Sequence, residues 1–341
     1  MSGDGRHIDP RVGTLSGEAA QQKVRDQDPK ALAPFDVWRS AAPVERGGDG
    51  YYDRPVVKEP VWIWAVPAYF YVGGAAGAAV VLGEASHVLA DSEVDDLVRN
   101  ARRIGAVGGA LGTALLIHDL GRPERFLNML RVFRPTSAMS VGSWILAAAS
   151  PLFAASALLP HAGGMAGRLG NAAGKAAALL GLPLAGYTAV LLSSSAVPLW
   201  LEARRNLPFL FSASAMSSAA ALLELGGLNE TEDKIVRRFG AVAQVIELVS
   251  SALLERRVAK FESVGAPLEQ GATGALWTAA KLATVTTLAL GLLPGRTRSR
   301  SIAKGLLGSA GGVALRFATF HAGKASARDP KATFERQRAV P

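Results

Sequence analysis

Residues 115–144 read LLIHDLGRPERFLNMLRVFRPTSAMSVGSW and place a charged turn between two apolar runs. His118 and Asp119 lie at the end of the first run, Arg122 lies in the turn, and the second run begins near Ser137. Turns of this kind are typical of the loops that join transmembrane helices and help to set their topology. The stretch therefore predicts two membrane-spanning helices, and its turn is a candidate functional site.

The whole chain continues this pattern. It has 341 residues, of which 49% are hydrophobic and 19% are charged. Apolar runs near the roughly 20 residues that cross the hydrocarbon layer recur between residues 61 and 322. These runs are rich in Ala, Gly and Leu, and lipid accepts only backbones that satisfy their own hydrogen bonds. We predict an all-α integral membrane protein with eight transmembrane helices and a long polar N-terminal extension.

The domain boundaries follow from the same runs. Residues 1–60 are polar, have no sustained apolar period and show no secretory signal, so we expect a largely irregular extension. Residues 61–322 form the predicted transmembrane domain, and residues 323–341 form a basic C-terminal tail. The predicted spans are approximately residues 61–89, 104–117, 137–159, 172–197, 207–225, 239–254, 271–293 and 302–322.

Cysteine content and charge exclude several classes of site. The chain has no cysteine, which excludes disulfides, thiolate-bound zinc and iron–sulfur clusters with cysteine ligands in this chain. The net charge of +9 would suggest nucleic acid in a soluble protein. Here the basic residues lie mainly in short loops, where topology and anionic lipid headgroups explain them. We therefore expect contact with the lipid bilayer and none with nucleic acid.

Ionisable residues inside spans are costly and are functional suspects. Glu84, Glu224, Glu247, Lys281 and Arg316 are the candidates for a proton path. Glu247 and Lys281 both fall near mid-span and could pair across two helices, as a structural ion pair or as part of a proton route. Glu84 and Glu224 lie near span ends, where snorkelling to water is the simpler explanation.

Topology also predicts a second constellation. With helices alternating in direction, the turn after span two lies on the same side as the aromatic start of span one. This places Trp64 and Tyr69 on the same side as His118, Asp119, Arg122 and His321. An aromatic slot beside proton and hydrogen-bond donors suits a quinone, whose reduction adds two electrons and two protons to opposite ends of a flat ring. We predict no metal site.

Several motifs resemble one known family, the NrfD family of quinone-interacting membrane subunits in polysulfide-reductase-like molybdoenzyme complexes. The resemblance covers about residues 62–224. The motifs are YFYVGGAAGA at 69–78, HDLGRPERF at 118–126, SAMSVGSW at 137–144, GYTAVLLSSSAVPLW at 186–200 and LPFLFSASA at 207–215.

The resemblance implies a haem-free, eight-helix subunit in the cytoplasmic (inner) membrane of a bacterium. Such a subunit exchanges electrons between membrane quinone, either menaquinone or ubiquinone, and a partner iron–sulfur subunit. That partner is linked to a catalytic molybdopterin subunit, as in formate dehydrogenases or polysulfide reductases. The chain itself would then hold neither haem nor iron–sulfur cluster, and it would not contain the catalytic centre.

Carried over to this sequence, the family's quinone pocket matches Tyr69, Gly73, Asp119, Gly121 and Arg122. In the resulting hypothesis, Arg122 favours negative charge on the quinone oxygen and Tyr69 donates a hydrogen bond or stacks. Asp119 relays protons.

The residues around this motif set depart from the family in one respect. Some members have an amide or imidazole just before helix one, where this chain has Trp62 and Trp64. The contact to the quinone oxygen would then come from Tyr69, from the extension or from His118, which also serves as a proton relay.

Three alternatives remain open at the level of sequence. A haem would need two facing histidines, and His118 and His321 share a side but both lie at span edges. A secondary transporter would use the buried charges as an ion path and would show an inverted repeat. A structural anchor would bind the soluble subunits without quinone chemistry.

Overall fold

The computed structural model describes residues 55–90, 94–295 and 297–338, so most of the predicted extension lies outside the described residues. Within these ranges the chain is all helical, with no strand. The long helices are α1 (Ala65–Leu89), α2 (Asp95–Leu120), α4 (Ala138–Leu158), α5 (Gly164–Ser193), α7 (Leu207–Leu225), α8 (Glu230–Val258), α10 (Gly271–Leu292) and α11 (Arg298–Arg328). The short helices are α3 (Glu124–Met129), α6 (Pro198–Glu202), α9 (Glu262–Glu269) and α12 (Pro330–Arg338).

Five helices in the described ranges are long and apolar enough to cross a membrane: α1, α4 with the 3₁₀ turn that follows it, α5, α7 and α10. Helices α1 and α7 are mostly buried, whereas α4, α5 and α10 expose much of their surface. The exposed side chains on these outer helices include large apolar residues such as Leu179, Leu182 and Leu282. Such faces are expected to contact lipid, because transfer of apolar surface from water to an apolar environment is favourable.

Polar side chains begin the helices and satisfy backbone groups that would otherwise lack partners. Ser137 caps α4 by accepting a hydrogen bond from the backbone N–H of Ser140. Asn229 and Glu232 form a capping box at the start of α8, with both hydrogen bonds at 2.9 Å. Glu232 also accepts a 2.7 Å hydrogen bond from the backbone N–H of Leu97, in the first turn of α2. One buried carboxylate thus stabilises the beginnings of two helices.

The long helices pack in two groups of four. Helices α1, α2, α4 and α5 contact one another in one group, and α7, α8, α10 and α11 form the second. The groups meet where α1 and α5 pack against α7 and where α1 packs against α11. This arrangement explains why α1 and α7 are the most buried of the apolar helices.

Small residues allow the closest of these contacts. A Cβ added to Gly77 of α1 would lie 2.6 Å from the carbonyl oxygen of Gly181 in α5. The reverse substitution would place a Cβ of Gly181 2.7 Å from the carbonyl oxygen of Gly77. Both distances are shorter than a real contact between a Cβ and an oxygen atom. The two backbones therefore approach so closely that only glycine fits at these positions.

Several helices extend beyond their predicted limits. Helix α2 begins at Asp95 rather than near residue 104, and α8 begins at Glu230 rather than near residue 239. Hydropathy detects only the apolar part of a helix, whereas the first turns here are polar and capped. At the other end of the chain, α11 continues to Arg328 and α12 follows it, so much of the predicted C-terminal tail is helical.

Candidate functional site

The turn after α2 meets the start of α1, as the topology predicted. The Asp119 carboxylate accepts a 3.1 Å hydrogen bond from the backbone N–H of Ile63. The rings of Trp64 and His118 lie 5.9 Å apart between centroids, in a tilted arrangement. Both rings are exposed, with Trp64 retaining 38% of its accessible surface. The two segments therefore form an open aromatic and polar corner at the helix ends.

Gly121 and Arg122 lie just beyond this corner. Gly121 has φ of 71° and ends α2 in the left-handed conformation, which a side chain would disfavour. Arg122 is exposed in the turn that follows. Gly121 thus has a backbone role in turning the chain, while Arg122 presents a positive charge near the corner.

Tyr69 and Gly73 lie deeper in the first helix group. The Tyr69 hydroxyl is 2.5 Å from the Tyr187 hydroxyl of α5, and Tyr69 is 2% exposed. A Cβ at Gly73 or at Gly112 would lie 3.2 or 3.3 Å from the Tyr69 ring. Gly73 therefore makes room for an aromatic side chain of its own helix. Tyr187 was missed as a candidate, although it lies within the quoted GYTAVLLSSSAVPLW motif.

A second aromatic cluster lies beside the segment that precedes α1. Trp62 stacks against Trp200 at 6.2 Å and against Phe320 at 6.5 Å. His321 packs against Phe320 and Phe317, whereas His118 packs against Trp64. The described residues contain no group of three or more His, Cys, Asp or Glu side chains able to hold a metal ion.

Charged side chains fix the segment before α1 to the end of α11. The Glu59 carboxylate accepts two hydrogen bonds from Arg328, of 2.6 and 2.7 Å, and its Oε1 lies 3.1 Å from Lys324 Nζ. Lys324 also donates a 3.2 Å hydrogen bond to the carbonyl oxygen of Trp62. Burial raises the pKa of Glu59, but Arg328 and Lys324 outweigh it and hold that pKa below its usual range. The first and last described segments thus meet at the end of the molecule that carries Trp64 and His118.

Glu84 and Glu224 lie at the other end and are buried in ion pairs rather than exposed to water. Glu84 is 2.6 Å from Arg102 of α2, and Arg102 also donates a 2.8 Å hydrogen bond to Asn171. Glu224 pairs with Lys304 of α11. The simpler explanation from sequence, that these carboxylates snorkel to solvent, is therefore wrong.

Lys281 pairs with Glu255, at the end of α8, and not with Glu247. Sequence reasoning missed Glu255 because it lies one residue beyond the predicted span. Glu247 instead accepts a 2.9 Å hydrogen bond from Thr284.

Arg316 is the cation that interacts electrostatically with Glu247 inside the second helix group. Its side chain is 1% exposed, donates a 2.7 Å hydrogen bond to the carbonyl oxygen of Phe211 and lies over the Phe211 ring. Among the described residues, the Nε and Nη1 atoms of Arg316 have no hydrogen-bond partner. Glu247 and Arg316 therefore share a buried polar region without bonding directly.

Comparison with known proteins identifies the family. No curated protein matches the chain. The family model described as polysulphide reductase, NrfD, matches residues 56–234, which are more than half of the sequence. The matched region contains α1, the corner at His118 and Asp119, and helices up to the beginning of α8. The protein therefore belongs to the NrfD family, whose members are multi-pass membrane subunits of respiratory oxidoreductase complexes.

Proposed function

We propose that this chain exchanges electrons between membrane quinone and a partner iron–sulfur subunit, itself linked to a catalytic molybdopterin subunit. The observation that carries the proposal is the corner where Trp64, His118 and Asp119 meet at one end of α1 and α2. Family membership supports the partners and the quinone, and the absence of cysteine from this chain is consistent with clusters held elsewhere.

The membrane arrangement is part of the same proposal. All eight long helices cross the bilayer of a bacterial cytoplasmic membrane, including α2, α8 and α11, whose polar ends extend beyond the lipid. Each of these three helices has 26 or more residues, and about 20 suffice to cross. Residues 1–60 form an extension and residues 61–322 the transmembrane domain. The described part of the basic C-terminal segment, residues 323–338, follows on the side of the corner, where Lys324 contacts Trp62.

The corner has the groups that a quinone headgroup needs. Trp64 offers a flat apolar wall, and the His118 imidazole can donate a hydrogen bond to a carbonyl oxygen. The exposed Arg122 can favour negative charge on that oxygen. A bound quinone would supply two-electron, two-proton chemistry. The chain's own residues would orient the ring and deliver protons to its oxygens.

Asp119 acquires a sharper role from its geometry. Its carboxylate accepts from the backbone of Ile63, next to Trp64, and so fixes the start of α1 against the end of α2. It is therefore proposed to position Trp64 against His118, in addition to any part in proton relay. Tyr69, which is buried and contacts Tyr187, is proposed to lie beneath the corner and not at its opening.

Replacing Arg122 by glutamine in the assembled complex is expected to lower quinone turnover about tenfold or more, since losing about 1.4 kcal/mol of transition-state stabilisation has this effect. Asp119→Leu should have a similar effect, whereas Asp119→Asn keeps an acceptor for Ile63 and should retain more activity. Turnover would be measured in membranes with a soluble quinol analogue.

The matched control is Arg131→Gln, which removes another exposed arginine after α2. Co-purification of the partner subunits checks that assembly persists. Unchanged turnover in both Arg122→Gln and Asp119→Leu would refute the proposed site. Quinone that fails to co-extract with the intact complex would instead favour the structural anchor.

The buried charged residues divide into those held in direct ion pairs and those proposed to hold or transfer a proton. Glu84, Glu224 and Lys281 are engaged in direct ion pairs, which are sufficient to explain their presence. Glu247 and Arg316 have no such direct bond and remain the proposed proton-holding centre. Buried N–H groups without an acceptor are costly, so a water molecule that accepts from Arg316 and exchanges protons with Glu247 would satisfy them.

Glu247→Gln is expected to reduce proton uptake per electron by at least about half, because the amide cannot carry the proton, while quinone turnover at the distant corner changes little. Complex reconstituted in liposomes with a pH-sensitive dye would provide the measurement. Glu230→Gln changes an exposed carboxylate of the same helix and serves as control. An unchanged proton-to-electron ratio in Glu247→Gln would assign this residue a structural role only.

A further inference from the structure

A half-open cavity of about 480 Å³ lies between the end of α8, the short helix α9 and the first half of α10. It belongs to the second helix group, whereas the proposed quinone corner is built by α1 and α2. Val258 and Leu268 contribute apolar wall and are almost fully buried. The cavity is therefore a separate site, large enough for the polar part of a small amphiphile.

One wall carries a fixed polar cluster. Trp277 Nε1 donates a 2.5 Å hydrogen bond to Glu255 Oε1, and the Lys281 ammonium donates to the same oxygen. Lys281 remains 33% exposed and has three N–H groups, of which this contact uses one. Trp277 is only 1% exposed, so the face of its ring is unavailable to a ligand.

The rim adds two exposed side chains of opposite charge, Arg256 from α8 and Glu269 from α9. With Lys281 and Glu255, these two rim residues give the cavity two cations and two carboxylates. A ligand that complements this arrangement carries one negative and one positive group close together. A purely anionic ligand would bring its negative charge close to the carboxylates of Glu255 and Glu269.

The surroundings indicate that the ligand has apolar chains. The cavity lies where α8 ends, and its lining extends along the first half of α10 as far as Lys281, at the middle of that helix. Farther along the two helices, α8 exposes Val249 and Leu253, and α10 exposes Leu282 and Val285. These exposed apolar side chains lie on the two long helices that line the cavity, and they are suited to contact with lipid tails.

We infer that the cavity binds the headgroup of a phospholipid with a primary ammonium, of the phosphatidylethanolamine type. Its phosphodiester would bind Lys281 and Arg256, and its ammonium would donate to Glu269 and to the second oxygen of Glu255. A choline headgroup has no N–H to donate and is recognised by aromatic faces, which the buried Trp277 does not offer. The inference does not depend on the proposed quinone chemistry.

The test is lipid binding by the purified complex, measured by native mass spectrometry after titration with three phospholipids of identical acyl chains. Phosphatidylethanolamine is expected to bind about tenfold more tightly than phosphatidylcholine or phosphatidylglycerol, which corresponds to one or two additional charge-assisted hydrogen bonds. Equal binding of all three lipids, or preference for phosphatidylglycerol, would overturn the inference.

Variants locate the site. Glu269→Gln changes only an exposed rim carboxylate and is expected to remove most of the preference for phosphatidylethanolamine without disturbing the fold. Lys281→Met should weaken binding of all phosphodiester headgroups. Lys260→Gln, an exposed cation near the same helix end that does not line the cavity, is the control. Binding that is unaffected by both cavity variants, or displacement of the lipid by a quinone analogue, would refute the assignment.

Discussion

Replacing Arg102 by leucine is expected to destabilise the protein by about 3–5 kcal/mol, because it leaves the Glu84 carboxylate buried without a counter-charge. Glu84 is 3% exposed, and its contact with Arg102 is 2.6 Å. Gly174 of α5 closes over this carboxylate so tightly that a Cβ there would clash with it. Neither water nor a neighbouring side chain can therefore easily replace the lost guanidinium. Equilibrium unfolding in detergent micelles would measure the loss.

Two comparisons test this explanation. The double variant Glu84→Gln with Arg102→Leu removes both charges and should recover a substantial part of the lost stability. Arg99→Leu breaks the exposed pair with Asp96 one turn away and should cost less than about 1 kcal/mol. If Arg102→Leu were no more costly than Arg99→Leu, the buried pair would not be a source of stability.

Gly77→Ala is expected to destabilise the protein by about 1–3 kcal/mol, although alanine ordinarily favours a helix over glycine by about 1 kcal/mol. The added methyl would overlap the carbonyl oxygen of Gly181, and backbone cannot move aside as a flexible side chain can. Helices α1 and α5 would have to separate, which also loosens the contacts around Tyr69 and Tyr187. The free energy of unfolding in detergent again provides the measurement.

Gly291→Ala is the matched control, because its Cβ would lie at an ordinary contact distance of 3.5 Å from the flexible Lys304 side chain. This variant should be neutral or slightly stabilising. A similar loss in both variants would mean that general helix effects, and not the close approach of α1 and α5, determine the cost.

The predicted and observed helix limits differ for a physical reason. Hydropathy reports the apolar part of a helix, and the five helices that are long and apolar enough to cross a membrane coincide with predicted spans. It missed the polar first turns of α2 and α8, which begin at Asp95 and Glu230 and depend on capping by Glu232 and Asn229. Arg102 therefore lies outside the predicted second span, and its pairing with Glu84 was not predicted.

The candidate site was predictable in part. Alternating helix direction was enough to bring the turn containing Asp119 to the start of α1, and the hydrogen bond to Ile63 confirms that proximity. The same reasoning did not separate Trp64, at the opening, from Tyr69, which lies within the helix group and contacts Tyr187. Depth along a helix follows from counting residues, but the direction of a side chain around the helix depends on its packing.

The sequence by itself determined the all-helical membrane class, the order of the apolar segments and the family, since apolar length and local motifs are properties of contiguous residues. Only the tertiary structure decided which charges pair. Lys281 binds Glu255 and Glu247 lies with Arg316, because partners are chosen by the relative depth and rotation of separate helices. The turn at residues 115–144 shows both contributions. Its sequence specified a charged corner, and the packing of α1 against α2 turned that corner into the meeting place of Trp64, His118 and Asp119.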